Sequence, residues 1–256
     1  IRDTAVAQPL LVAASLLAAT ALLEEIGPGD LIAGHSVGEI AAAGIAGVLT
    51  ASDAMHLVRE RALGMAEASA ATPTTMAAVV RGEPGNVMET IAGVGAIPAN
   101  NNGGGQIVAA GTVEQIAELR ANPPAGARVI PLAVAGAFHT DHMRAGQERL
   151  SAVAGQITPA DPQGILLSNA DGAVIESGAT YLDRLVSQVT NPVRWDLCME
   201  TMASLGVTGI IELPPAGTLT GIAKRNLSGV ELFNLNTPDQ LDEARAFVAR
   251  HRAQEA

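Results

Sequence analysis

The six residues from Gly34 to Glu39, GHSVGE, constrain this chain more than any other stretch. They follow Leu31 to Ala33, which reads as a short buried strand, and precede EIAAAGIAGVL, which reads as a helix. A strand, a glycine-flanked turn and a helix in that order belong to α/β architectures, with the turn at the top of the sheet. Glycines on both flanks remove Cβ clashes, so the Ser36 oxygen can stand exposed. The Val37 backbone N–H then sits at a helix N-terminus, where it can stabilise an oxyanion. The same letters also fit a glycine-rich bend around an idle serine, so the rest of the chain has to decide.

The pattern beyond this turn is alternating. Thr50 or Ser52 caps a helix to about Ala68. Thr75 to Val80, Ile97 to Asn101, Gln106 to Gly111 and Arg128 to Val134 read as strands. Between them, Pro84 to Val94 and Thr112 to Ala121 read as helices, the second with Thr112 and Gln115 in capping-box spacing. That order, β-α-β-β-α-β, is a split βαβ of ferredoxin type. It predicts an α/β fold in two parts. The larger is an α/β-hydrolase-like domain with a mainly parallel sheet, over 1–73 and 136–256. The smaller is an inserted ferredoxin-like subdomain over 74–135. Later expectations are a strand near Ile165 to Ser168, helices at Tyr181 to Val189 and Val193 to Leu205, and a strand at Gly209 to Leu213. A helix to about Arg225, a strand at Glu231 to Asn234 and a terminal helix finish the chain.

Composition bounds the function. A chain of 256 residues, 48% apolar, buries a sizeable core, and with so few rings that core is aliphatic. A net charge of −11 argues against a nucleic-acid partner. A single cysteine, Cys198, excludes a disulfide framework and fits the cytoplasm. Ala5 to Leu23 is apolar enough to raise the question of a membrane. Gln8, Pro9, Ser15 and Thr20 interrupt it and Glu24-Glu25 end it, so it reads as a buried helix beside a sheet, with no membrane partner. No basic stretch precedes it, so it is not a signal peptide. The chain opens on Ile1 inside a helical pattern, which points to an N-terminus upstream. No cluster has metal-ligand spacing, and NNGGG does not open a helix after a strand as a dinucleotide fingerprint must.

Two further residues bear on Ser36. Arg61 falls on the apolar stripe Ala54, Leu57, Val58, Ala62 and Met65, so its guanidinium is aimed at the core and needs an anion. A structural salt bridge satisfies it; so does a substrate carboxylate gripped by two parallel hydrogen bonds. His139, in the loop GAFHTDH, is the favoured base if that loop overhangs the serine. His35 is a turn neighbour whose ring points away. Asp141 and His142 supply no third member, but a backbone carbonyl suffices to orient an imidazole.

GHSVGE, an arginine on the next helix, the small β-α-β-β-α-β stretch, GAFH and QVTNPVRW occur in this order along essentially the whole chain. The set resembles the malonyl-CoA:acyl-carrier-protein transacylases and the related acyltransferase domains of polyketide synthases. The resemblance implies Ser36 as nucleophile, His139 as base, and Gln188 as the residue whose backbone carbonyl holds the histidine. It implies Arg61 for the malonyl carboxylate, with His35, Asn100, Asn102 and Phe138 around the substrate, Phe138 being the malonyl-type signature. It implies no cofactor, malonyl-CoA as substrate and acyl carrier protein as partner, for which Arg194, Lys224 and Arg225 are the candidate basic patch. The family's Gly-Gln-Gly oxyanion segment does not occur in this sequence, which suggests a truncated chain, and PPAGTL at 214–219 replaces a more glycine-rich turn. A serine thioesterase or hydrolase, and an inactive scaffold, are the alternatives.

Overall fold

The structure is a computed structural model, and it describes residues 3–252. Residues 1–2 and 253–256 of the expected larger part lie outside the described residues. The chain opens with α1 (Thr4–Leu22), β1 (Leu31–Ile32), α2 (Gly38–Ile45) and α3 (Ala51–Ala71). Thr50 caps α3, its hydroxyl accepting from the Asp53 N–H at 3.1 Å. Next come β2 (Thr74–Val80), α4 (Pro84–Gly93), β3 (Ile97–Asn101), β4 (Gln106–Thr112), α5 (Val113–Ala121) and β5 (Arg128–Pro131). The capping box of Thr112 and Gln115 is formed at the start of α5.

In this stretch β2 pairs antiparallel with both β4 and β5, and β3 with β4, giving the order β5-β2-β4-β3. Fourth, first, third, second is the ferredoxin-like arrangement that the element order predicts. Both faces of this sheet are covered. Val79, Ile107, Ile91, Ile116 and Leu119 pack one face under α4 and α5. Met76, Ala78, Ala99 and Val108 pack the other, together with Phe138 and Ala137.

The remaining elements are α6 (Arg144–Ala154), β6 (Ile165–Leu166), α7 (Gly178–Gln188), β7 (Val193–Arg194), α8 (Trp195–Ser204), β8 (Gly209–Glu212), α9 (Thr218–Asn226), β9 (Glu231–Asn234) and α10 (Leu241–Arg252). Parallel pairings join β1 to β6, β8 to β9 and β3 to β7. The first two are separate two-stranded sheets among the described residues, while β7 adds a fifth strand to the sheet β5-β2-β4-β3. Val193 and Arg194, expected at the start of a helix, are extended instead. They pair with Asn100 and Asn101, because the open edge of β3 offers them backbone partners. The helix α6 escapes a reading by periodicity, since its run RAGQERLSAVA carries few large apolar residues.

A second difference concerns α1. It was expected to be buried, yet only Thr4, Gln8, Val12, Ala19 and Leu22 are, while Leu10 is 49% and Leu17 73% exposed. One stripe of α1 packs on α3 and α2, and the opposite stripe faces outward. It is the one described helix long and apolar enough to cross a membrane.

The contact that positions the site is between α3 and α6. Gly64 and Gly146 meet backbone to backbone: a Cβ on Gly64 would lie 2.8 Å from the Gly146 Cα, and one on Gly146 would lie 2.9 Å from the Gly64 carbonyl carbon. Such an approach is open only to glycine, and it brings Arg61, one turn earlier on α3, close to the loop that leads into α6. Gly64→Ala forces the two helices apart, and we expect it to cost about 1–3 kcal/mol. Urea denaturation measures the loss.

Candidate active site

Ser36 sits on a sharp elbow between β1 and α2. Its φ is 55°, in the left-handed region that a side chain enters only under constraint. The two flanking glycines are not equivalent. A Cβ on Gly34 would lie 2.0 Å from the Gly38 carbonyl carbon, so the strand end and the helix start touch there. A Cβ on Gly38 would meet nothing within 4 Å. The expectation that both glycines relieve clashes therefore holds for Gly34 and is corrected for Gly38, whose missing side chain borders open space.

The elbow is held from below by Asn169, a residue that sequence reasoning missed. Its Oδ1 accepts from the Ser36 N–H at 2.8 Å and its Nδ2 donates to the Gly34 carbonyl at 2.8 Å. Its own N–H donates to Glu39 Oε1 at 2.7 Å. Asn169 lies in a turn after β6, far from the motif in sequence. The only local signal was an asparagine at the end of a strand.

His139 reaches Ser36 from the other side. It too has a left-handed φ, 60°, in the loop before α6. Its Nε2 is 2.7 Å from the Ser36 Oγ, and its Nδ1 is 2.9 Å from the Gln188 backbone carbonyl. A carbonyl only accepts, so Nδ1 carries the hydrogen and Nε2 presents a lone pair to the serine. Burial, reinforced by the nearby positive charge of Arg61, pushes the imidazole down to about 3. His139 is thus a neutral base at any ordinary pH.

Arg61 is 2% exposed. Its Nη1 donates to Gln8 Oε1 at 2.5 Å, and its Nη2 donates to Gln188 Oε1 at 3.0 Å and to Ser36 Oγ at 3.3 Å. Among the described residues it forms no ion pair with a carboxylate. The structural salt bridge weighed from the sequence is absent among those residues, and oxygens of neutral side chains stand in its place. Burial pulls the guanidinium down to about 10, partly offset by the charge of Glu39. Glu39 in turn is pushed up to about 8 by burial, against the pull of the Asn169 N–H, Gln188 and Arg61.

A cavity of about 230 Å³ opens over this group, lined by Ser36, Val37, Arg61, Met65, Phe138 and Gln8 among others. The Val37 N–H, at the start of α2, has no hydrogen-bond acceptor among the described residues. His35, Asn100 and Asn102 are not on the cavity wall. The His35 Nε2 is 2.9 Å from Asn102 Oδ1, and its ring meets Trp195 edge-on at 5.5 Å. Asn100 is buried on β3, beside Val193 of β7. Of the suggested patch, Arg194 is paired with Asp196, Arg225 donates to the Gly221 carbonyl, and Lys224 is exposed on the last turn of α9.

A family model described as the acyl transferase domain matches residues 1–248. The chain belongs to the acyl transferase domain family. Among its relatives is the malonyl CoA-acyl carrier protein transacylase of Mycobacterium bovis, 50% identical over 95% of this chain and 82% of that protein. The crystal structure of the Mycobacterium tuberculosis MCAT superposes with a TM-score of 0.90 at 49% identity, covering 95% of this chain and 82% of that one. A type II PKS acyl-carrier protein in complex with its malonyl-transacylase superposes with a TM-score of 0.86 at 30% identity, covering 96% and 81%. In this acyl transferase, then, a neutral imidazole and a guanidinium meet at the oxygen of a strained serine that lines the cavity.

Two outcomes follow for this site. Asn169→Ala strands the Ser36 N–H and the Gly34 carbonyl while keeping the backbone N–H that Glu39 accepts from, and is expected to cost about 2–4 kcal/mol of stability along with the acylation rate. Thermal unfolding and a single-turnover acylation assay measure the two losses. The second concerns pH. The unfolded imidazole binds a proton below its ordinary 6.5, whereas the folded His139 refuses one until about 3. The stability contributed by His139 is therefore intact above 6.5 and is withdrawn as pH falls toward 3. Catalysis behaves differently: the Ser36 acylation rate is expected to stay level across 6.5 rather than halve there, as quench-flow at a series of pH values will show.

Proposed function

We infer that this chain transfers the malonyl group from malonyl-CoA to the phosphopantetheine thiol of an acyl carrier protein, through a malonyl ester on Ser36. The observation that carries this reading is the Ser36 oxygen itself, 2.7 Å from a neutral imidazole and 3.3 Å from a buried guanidinium that has no carboxylate partner among the described residues. Both the identity to transacylases and the fold likeness support it.

The steps follow from the geometry. His139 Nε2 takes the Ser36 proton as the oxygen attacks the thioester carbonyl. The Val37 N–H donates to the developing oxyanion. Collapse breaks the C–S bond, and His139 returns the proton to the CoA thiolate. The carrier thiol then gives its proton to His139 and attacks the ester, and Ser36 leaves and is reprotonated. Throughout, Arg61 holds the distal carboxylate with charge-assisted bonds that an acetyl group cannot make. Phe138 gives the cavity an apolar wall. The reaction so written uses no cofactor beyond the two thiol carriers.

We read 1–73 with 136–256 as one lobe and 74–135 as the other, with the cavity at their seam. Ala133 and Val134 line it beside Ser36 and Arg61, which supports that division. For the carrier we propose the exposed end of α9, Lys224 and Arg225, with Arg194 weakened by its pairing to Asp196. A cytoplasmic location is our reading. It is supported by Cys198, a free buried thiol. A hydrolase of the α/β type needs a late histidine at the serine. His251 is instead bound to Thr208 at 2.8 Å and to Glu231 at 3.1 Å, so it does not serve Ser36.

Mass spectrometry after mixing with malonyl-CoA should find one malonyl adduct, on Ser36, that discharges to a carrier thiol faster than to water. An unmodified Ser36, or release mainly as free malonate, would sink the reading.

A further inference from the structure

One buried glutamate side chain touches the supports of all three reacting groups, and no step above uses it. Glu39 lies three residues after Ser36, on the first turn of α2, and is 1% exposed. Its Oε1 accepts from the Asn169 N–H at 2.7 Å, and Asn169 holds the Ser36 elbow. Its Oε2 accepts from Gln188 Nε2, and Gln188 is the residue whose backbone carbonyl orients His139. The other end of the same amide, Gln188 Oε1, accepts from Arg61 Nη2 at 3.0 Å.

A carboxamide has one donor end and one acceptor end. The Arg61 guanidinium only donates, so the amide oxygen must face it, and the Nε2 end then needs the acceptor that Glu39 Oε2 supplies. Ser36 O at 3.3 Å and Asn169 Oδ1 at 3.4 Å favour the same orientation of Nε2, but they are longer contacts to neutral oxygens. Arg61 uses three of its N–H groups on Gln8, Gln188 and Ser36, which leaves two of the five for a ligand. Its placement therefore depends on an amide whose orientation Glu39 sets.

We propose that Glu39 is a positioning residue for substrate selection: by fixing the Gln188 amide, it places Arg61 to receive a substrate carboxylate. This rests on the reading that Arg61 takes the malonyl carboxylate. Glu39→Gln is the sharpest probe, because it keeps the shape and removes one acceptor. If the new amide keeps the Asn169 N–H, its NH₂ opposes Gln188 Nε2. Gln188 must then turn and present a donor to Arg61.

The test compares kcat/KM for malonyl-CoA and acetyl-CoA in the parent enzyme, Glu39→Gln, Arg61→Ala and the double variant. Glu39→Gln is expected to lower the malonyl-to-acetyl ratio about tenfold, mostly through the KM for malonyl-CoA, and to add nothing once Arg61 is gone. A merely structural role would lower both substrates together. An unchanged ratio, an equal loss on both substrates, or losses that multiply in the double variant would overturn the proposal. If Arg61→Ala keeps full malonyl preference, the reading of Arg61 itself fails. If Arg61→Ala loses it and Glu39→Gln does not, only the role of Glu39 fails. Should Glu39→Gln not fold, Gln188→Leu removes the amide and keeps the backbone carbonyl. It should show the same loss of ratio, and full discrimination in that variant would overturn the proposal.

Discussion

A guanidinium without a carboxylate partner lies at the centre of this protein, and much of the structure around it exists to hold it there. Removing such a charge from water costs several kcal/mol unless its hydrogen bonds are remade. Arg61 recovers part of that through two side-chain amides and one hydroxyl, all neutral. Neutral acceptors satisfy the donors and leave the charge uncancelled. A site built this way is electrostatically complete only when an anion enters, which is the physical basis for choosing a substrate with a free carboxylate.

The same charge shapes the chemistry beside it. It helps keep His139 unprotonated, so the base is available, and it lies close enough to Ser36 to favour the oxygen as negative charge develops there. Both reacting residues are also held in backbone conformations that side chains avoid, Ser36 at φ 55° and His139 at φ 60°. Each such conformation costs on the order of 1–3 kcal/mol and persists only where its surroundings impose it. Asn169 imposes the first from below. For the second, the Gln188 carbonyl fixes the ring and the close approach of α3 and α6 fixes the loop.

Much of the fold was legible because its signals are local. The capping box at Thr112, the cap at Thr50 and the order of strands and helices across 74–131 depend on residues within a few positions of one another. The elements that went unread lack such signals. Val193 and Arg194 are a strand only because β3 offers an edge, and α6 packs through glycine where periodicity looks for large apolar residues. In the site, Ser36, His139 and Arg61 were legible from residue type and pattern. Asn169, Gln8 and Glu39 were not, since a buried polar side chain announces itself only by what it touches.

By itself, the sequence determined the chemical inventory and the local shape: a serine on a forced turn, an arginine on an apolar stripe, a histidine in a loop, and the alternation that makes an α/β fold. Those follow from steric and periodic rules acting over short distances. Only the tertiary structure decided that the three meet at one oxygen and that the arginine is left without a carboxylate. It alone decided that a glutamate three residues after the nucleophile meets both the asparagine under the serine and the glutamine between the histidine and the arginine, each from a distant segment. Hydrogen bonds between residues more than a hundred positions apart depend on how helices and strands pack, and no local pattern carries that information.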